Sequence, residues 1–200
     1  MYAVITGDII ESQQTATTVW MPILKEVLSQ FGSNPKDWEI FRGDSFQIIC
    51  PPEQALLCAM IIKSYLKSHE IQVRMAIGIG TIDYRTDKVT DSNGSAFVHS
   101  GTRFDNLKKQ TLALQTPWEE LNSPLSIMLD LAAITLDKWT AKTAEVICFK
   151  LQNPSLSQKE IAENLDKKRQ GNVSEALKRG GFDELQQLLD YYHKQVTMLC

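Results

Sequence analysis

The chain has 200 residues, 43% of them apolar and 22% charged, with a formal net charge of −3. That length and apolar content suit one large domain, or a domain with a small appendage, and exclude a disordered chain. A slightly negative total excludes a surface that is basic all over, so any nucleic-acid contact has to be local.

A short, β-branched apolar run over residues 2–9 predicts a buried strand that brings Asp8 to its end. A helix is predicted over 15–31 from the helical spacing of Val19, Trp20, Ile23, Leu24, Val27, Leu28 and Phe31, with Gly32 and Asn34-Pro35 as its stop. Residues 37–42 and 45–50 read as two strands joined tightly at Gly43-Asp44, a hairpin whose tip carries a second aspartate. Pro51-Pro52 opens a helix to residue 69, with Leu56, Leu57, Met60, Ile61 and Leu66 turned towards the core. Residues 71–80 form the strongest strand pattern, alternating early and apolar throughout late, as a central strand does. A polar stretch over 83–94 precedes a short helix with Ala96, Phe97, Gly101, Arg103 and Phe104, and 111–116 is the last predicted strand.

The order βαββαβ, then a helix and a strand, predicts an α+β fold with a ferredoxin-like plan, an antiparallel sheet with helices on one face. From residue 123 the pattern is helical, with helices at 125–139 and 140–151 and a helical remainder. Pro117 and Ser123-Pro124 punctuate the change, which sets two domains, 1–122 and 123–200. Met1 leads directly into the first strand, leaving no room for a leader, and no apolar run is long enough to span a bilayer. Cys50, Cys58, Cys148 and Cys200 form no CxxC pair and share no metal-ligand spacing with the three histidines; Cys50 and Cys58 fit buried thiols. Together these features predict a cytoplasmic protein that does not enter a membrane.

Asp8 and Asp44 each sit where an apolar run meets glycine, so two carboxylates are offered at strand ends. Mg²⁺ is held by one or two carboxylates and completes its shell with substrate phosphates, so Mg²⁺ or Mn²⁺ at Asp8 and Asp44 would make a nucleotide site. Aspartate beside glycine is equally ordinary turn chemistry.

Three stretches then carry a resemblance: Ile5-Thr-Gly-Asp-Ile-Ile, Phe41-Arg-Gly-Asp-Ser-Phe, and Arg74-Met-Ala-Ile-Gly-Ile-Gly followed by Gly94-Ser-Ala-Phe-Val-His-Ser-Gly-Thr-Arg103. The first 116 residues resemble the catalytic fold of class III nucleotidyl cyclases and GGDEF-type synthases, and the whole chain resembles the SatD family. The resemblance implies Asp8 and Asp44 as metal ligands and Arg103 as the arginine that stabilises charge on a transferring phosphate. His99 stands four residues earlier, where those cyclases carry asparagine; a histidine there can donate a hydrogen bond to phosphate or simply pack. Arg103 likewise reads as a charge stabiliser or as a helix arginine paired with Asp105 or a neighbouring acid. The strand just before Gly43 carries no lysine to read a purine, since Ile40 and Phe41 occupy it. The loop after Asp8, with Ile9, Ile10 and Ser12, lacks the Gly-Phe pattern that closes over phosphates; backbone N–H groups at the start of the next helix remain as anion contacts. Cyclase-like pairing would be head to tail, which implies a homodimer.

The tail carries a second pattern. Ser157 and Glu160 form a capping box, and Ile161, Ala162 and Leu165 give the inward face of a first helix whose small alanine admits a second. Residues 171–179 would be the recognition helix of a helix-turn-helix, with Val173, Ala176 and Leu177 buried. Lys167, Lys168, Arg169 and Gln170 would lie in the turn, and Asn172, Ser174, Lys178 and Arg179 would face DNA. Over 158–180, Lys159, Lys167, Lys168, Arg169, Lys178 and Arg179 outnumber Glu160, Glu163, Asp166 and Glu175 by two, a modest drive for DNA that a dimer doubles. A helical protein-interaction module fits the same pattern. The expected function is therefore a DNA-binding transcription regulator whose cyclase-like domain senses a nucleotide or metal. The alternative is an active nucleotidyl cyclase, or related phosphoryl-transfer enzyme, recruited by its helical tail.

Overall fold

Alternation along the first strand sets the architecture. In β1 (Tyr2–Ile9), Ala3, Ile5 and Ile9 face one side of the sheet and Val4, Thr6 and Asp8 the other. The structure, a computed structural model, describes residues 1–165 and 170–200. After β1 come α1 (Thr17–Ser29), β2 (Trp38–Phe41), β3 (Ser45–Cys50), α2 (Ala55–Ser68), β4 (Val73–Gly80), α3 (Ser95–Asp105) and β5 (Leu112–Gln115). The helical part then follows as α4 (Glu119–Leu136), α5 (Ala141–Gln152), α6 (Gln158–Asn164), α7 (Gln170–Arg179) and α8 (Phe182–Leu199). The chain is α+β.

The sheet order is β2-β3-β1-β4-β5. β1 is its middle strand and pairs antiparallel with both β3 and β4, while β5 pairs parallel with β4. The sheet is thus mixed rather than wholly antiparallel, because a parallel neighbour needs a crossover and α3 supplies it.

α1 and α2 bury Trp20, Leu24, Leu28, Leu56, Met60 and Ile62 against the Ile5 side of the sheet. The expectation of helices on one face is corrected by α3, which lies on the other. Gly78 and Gly80 make that possible: a Cβ built on Gly78 would stand 2.2 Å from the Ser100 amide nitrogen, and one on Gly80 2.6 Å from that of Ala96. In Ala76-Ile77-Gly78-Ile79-Gly80, large side chains feed the main core and small ones admit the α3 backbone. Thr6 and Ser100 share a buried hydroxyl hydrogen bond of 3.0 Å across that contact.

The helical part continues the same core. α4 starts at Glu119, so residue 122 lies within its first turns, where the buried Asn122 side chain accepts from the Thr116 amide (2.7 Å) and donates to the Thr116 carbonyl (2.9 Å). α5 packs on α2, and the Tyr192 hydroxyl of α8 donates to the Pro52 carbonyl at 2.6 Å. Trp139 Nε1 donates to the Gly180 carbonyl at 2.9 Å, fixing the turn between α7 and α8. No described helix is long and apolar enough to cross a membrane.

Candidate functional site

Asp8 lies one residue from the end of β1, opposite Ser45 of β3 and Arg74 of β4. Its carboxylate is only 15% exposed and is held at both oxygens by Arg74, Nε to Oδ1 at 2.8 Å and Nη2 to Oδ2 at 2.7 Å. This is the bidentate geometry that suits guanidinium best. The other surface of the guanidinium stacks over Phe104 of α3, 5.2 Å from the ring centroid. The hydrogen bond to Asp8 raises the Arg74 pKa most; burial opposes it, and the charges of Asp8 and Asp44 add to it. One cation therefore feels both carboxylates.

Asp44 is placed by the β2–β3 turn. Arg42 has φ 50° and Gly43 φ 96°, and a Cβ on Gly43 would meet nothing within 4 Å, so glycine serves the backbone angle rather than the space. Ser12 Oγ, in the 3₁₀ turn Ser12–Gln14 after β1, donates to Asp44 Oδ2 at 2.5 Å. The fold thus brings Asp8, Ser12 and Asp44 to one end of the sheet.

The remaining expected contacts are committed elsewhere. Ile9 is buried in β1, and the Ile10 amide donates to the Gln72 carbonyl at 2.9 Å, so that amide is not an open anion donor. His99 Nδ1 donates to the Ile79 carbonyl at 2.6 Å. Arg103 Nη2 donates to Gln110 Oε1 at 3.1 Å, rather than to Asp105, and Gln110 Nε2 in turn donates to Asp130 at 2.5 Å. Arg103 Nε is buried with no hydrogen-bond partner among the described residues. No hydrogen bond among the described residues joins His99 or Arg103 to Asp8 or Asp44, and no group of three described His, Cys, Asp or Glu side chains is arranged to hold a metal ion.

Arg74 is the residue that sequence reasoning missed. Its signal was a lone charge on an otherwise apolar strand, which needs a partner on a neighbouring strand.

In the tail, the Ser157–Glu160 capping box forms in both directions: the Ser157 amide donates to Glu160 Oε2 at 2.8 Å, and the Glu160 amide to Ser157 Oγ at 3.3 Å. Ile161 and Ala162 of α6 and Val173, Ala176 and Leu177 of α7 are buried. Gln170, Asn172, Ser174, Lys178 and Arg179 are exposed on α7, where Arg179 meets Glu175 at 3.6 Å in an open i,i+4 pair. Lys167, Lys168 and Arg169 lie outside the described residues. No family model matches this chain, and no curated protein matches it.

Proposed function

We propose that this chain is a cytoplasmic transcription regulator of the SatD family, binding DNA through a helix-turn-helix within 123–200 and sensing a nucleotide through a cyclase-like domain at 1–122. The observation that carries the DNA reading is α7: one side is buried against its neighbours, and the other offers Gln170, Asn172, Ser174, Lys178 and Arg179 to solvent. Side chains of that kind contact both base edges and phosphates. The capped α6, with Ala162 turned inward, supports α6 and α7 as the two helices of the motif. A ferredoxin-like, cyclase-type reading of the sheet is supported by the order β2-β3-β1-β4 with antiparallel neighbours throughout. A homodimer would present two α7 helices to a pseudo-palindromic site.

Sensing is favoured over catalysis by the Arg74–Asp8 pair. An internal guanidinium already neutralises the carboxylate that a cyclase gives to metal, and the His99 and Arg103 side chains are engaged within the chain. A resident divalent ion does not fit this arrangement. Mg²⁺ or Mn²⁺ would have to arrive with the phosphates and take Asp8 from Arg74, with Asp44 beside it. The freed guanidinium is the natural phosphate contact in such an exchange.

The test pairs thermal shift with product analysis on the full chain, using ATP and GTP with Mg²⁺ or Mn²⁺, and DNA binding in the same buffers. A ligand at about 100 times its Kd adds roughly 2.7 kcal/mol. The proposal expects a nucleotide-dependent shift without product, together with DNA binding that Lys178→Ala with Arg179→Ala weakens across sequences, reducing the salt slope by about 2. Cyclic or linear product would make the chain an enzyme instead. Absence of DNA binding at low salt would remove the regulator.

A further inference from the structure

β2 is an outer strand of the sheet, and its pairing with β3 fixes which backbone groups remain open. The Ile49 amide donates to the Asp37 carbonyl at 2.8 Å, and the register pairs Trp38 with Ile48 and Ile40 with Phe46. Antiparallel partners alternate between bonded and non-bonded pairs, so Glu39 and Phe41 bond to β3 while Trp38 and Ile40 turn their amides and carbonyls outward. Asn34 Nδ2 takes the Trp38 carbonyl at 3.1 Å. Among the described residues, no hydrogen bond takes the Ile40 amide or carbonyl.

This open edge lies along a groove of about 500 Å³ between β2 and α1, walled by Met21 and Lys25 on one side and residues 38–42 on the other, so that Lys25 and Arg42 share its lining with one acid, Glu39. The two cations there, Lys25 and Arg42, are exposed. Glu39, the acid of the strand, accepts a short hydrogen bond from Thr90 Oγ1, which holds its carboxylate to the 83–94 loop.

We infer that this groove receives an extended, acidic segment of a partner protein, which adds to the edge of β2 as a further strand. The unpaired Ile40 backbone calls for an extended backbone, as in other strand additions. Lys25 and Arg42 supply the complement for carboxylates, and Met21, Trp38 and Ile40 an apolar floor for the side chains between them. Sheet edges left open are normally blunted by charge, proline or a covering element; here Asn34 covers the Trp38 carbonyl, and at Ile40 the described residues leave the shortness of the strand and its flanking charges. The added strand would lie beside the hairpin that carries Asp44. The inference does not depend on the sensing or DNA-binding reading.

The test is an anisotropy titration of the full chain with a fluorescein-labelled hexapeptide amide of alternating valine and glutamate, set beside its valine–lysine counterpart. The glutamate peptide is expected to bind saturably and to protect the Ile40 amide from hydrogen exchange; the lysine peptide is not. Ile40→Pro removes the outward amide without touching the β3 ladder and should weaken binding by at least roughly tenfold. Lys25→Glu with Arg42→Glu should weaken it similarly and reverse the preference towards lysine. That double variant carries the test if the proline variant fails to unfold cooperatively. The inference is overturned if neither peptide binds, if both bind equally, or if binding survives the charge reversal. Self-association of the chain that Ile40→Pro abolishes, without peptide binding, would assign the edge to a second copy and overturn it too.

Discussion

Two ion pairs in this chain are built with opposite burial. At the junction of sheet and helices, Lys63 of α2 is the hidden member, 8% exposed, and its partner Asp137 at the end of α4 is 37% exposed; the two meet at 2.8 Å. At the mouth of the sheet the arrangement is inverted, with Asp8 15% exposed and Arg74 41%. The first pair is closed by Thr111, whose hydroxyl accepts from Lys63 at 2.9 Å and donates to Asp137 at 2.7 Å. The second pair leaves its guanidinium open to solvent and within the field of a second carboxylate. A buried cation with a fixed partner serves to hold two layers together. A half-exposed cation can change partners, which is what the proposed exchange asks of Arg74.

The largest expected effect is at the junction. Asp137→Ala leaves the Lys63 ammonium buried without its anion and should cost on the order of 3 kcal/mol in chemical denaturation. Lys63→Met should cost clearly less, because an apolar chain of similar length replaces the ammonium and Asp137 can turn to water. Equal losses would remove the distinction between hidden and open member. At the mouth, Arg74→Met strands the less exposed carboxylate, but the partial exposure of the pair limits the loss to about 1–2 kcal/mol. If Arg74 is the exchanging cation, the same variant also loses its nucleotide-dependent thermal shift. A variant that melts lower yet keeps the shift would leave Arg74 a structural residue.

The pairs should also differ in pH dependence. Burial pushes the Lys63 ammonium below the ordinary lysine value, against the pull of Asp137. The unfolded chain then holds that proton more tightly than the folded one, so the Lys63 contribution rises as pH climbs from the lowered value to about 10.4, and its penalty is complete below that window. Arg74 is shifted upward instead, so its contribution is fully present below the ordinary arginine value and is lost only as pH rises through the raised one. Denaturation across an alkaline series should therefore show the stability of the parent chain gaining on that of Lys63→Met, with no such drift against Arg74→Met below pH about 10.

The smallest effect expected is at Ser157→Ala, which breaks the capping box of α6 and should cost about 1 kcal/mol, read as a lower melting temperature. If α6 supports α7 on DNA, the same change weakens DNA binding without altering the nucleotide shift.

Much of the fold was legible from local pattern. The strand at residues 2–9, the hairpin, the two long helices beside it and the late strand all lie close to their predicted spans. α4 begins six residues before its predicted start, because Asn122 pairs with the backbone of Thr116 and pulls the chain into helix directly after β5. The placement of α3 was encoded in the small residues of β4, but a run that also reads as continuously apolar hides that signal. At the site, the strand-end positions of Asp8 and Asp44 were legible, and an internal role for His99 and Arg103 was one of two readings; the partners Ser12 of Asp44, Gln72 of Ile10, Ile79 of His99 and Gln110 of Arg103 were not, since such hydrogen bonds leave no periodic trace.

By itself, the sequence determined the elements, the two faces of each strand, the aspartates at the strand ends and the capped helix of the tail. These follow from side-chain periodicity, turn chemistry and capping, all of which act within a few residues. Only the tertiary structure decided that Asp8 meets Arg74, that β5 lies parallel to β4, that helices cover both faces, and that the backbone of Ile40 stays open at the edge. Each of these depends on which strand lies beside which, and in what register. Register is set by burial across the whole sheet, 66 residues apart for Asp8 and Arg74, and no local rule carries it.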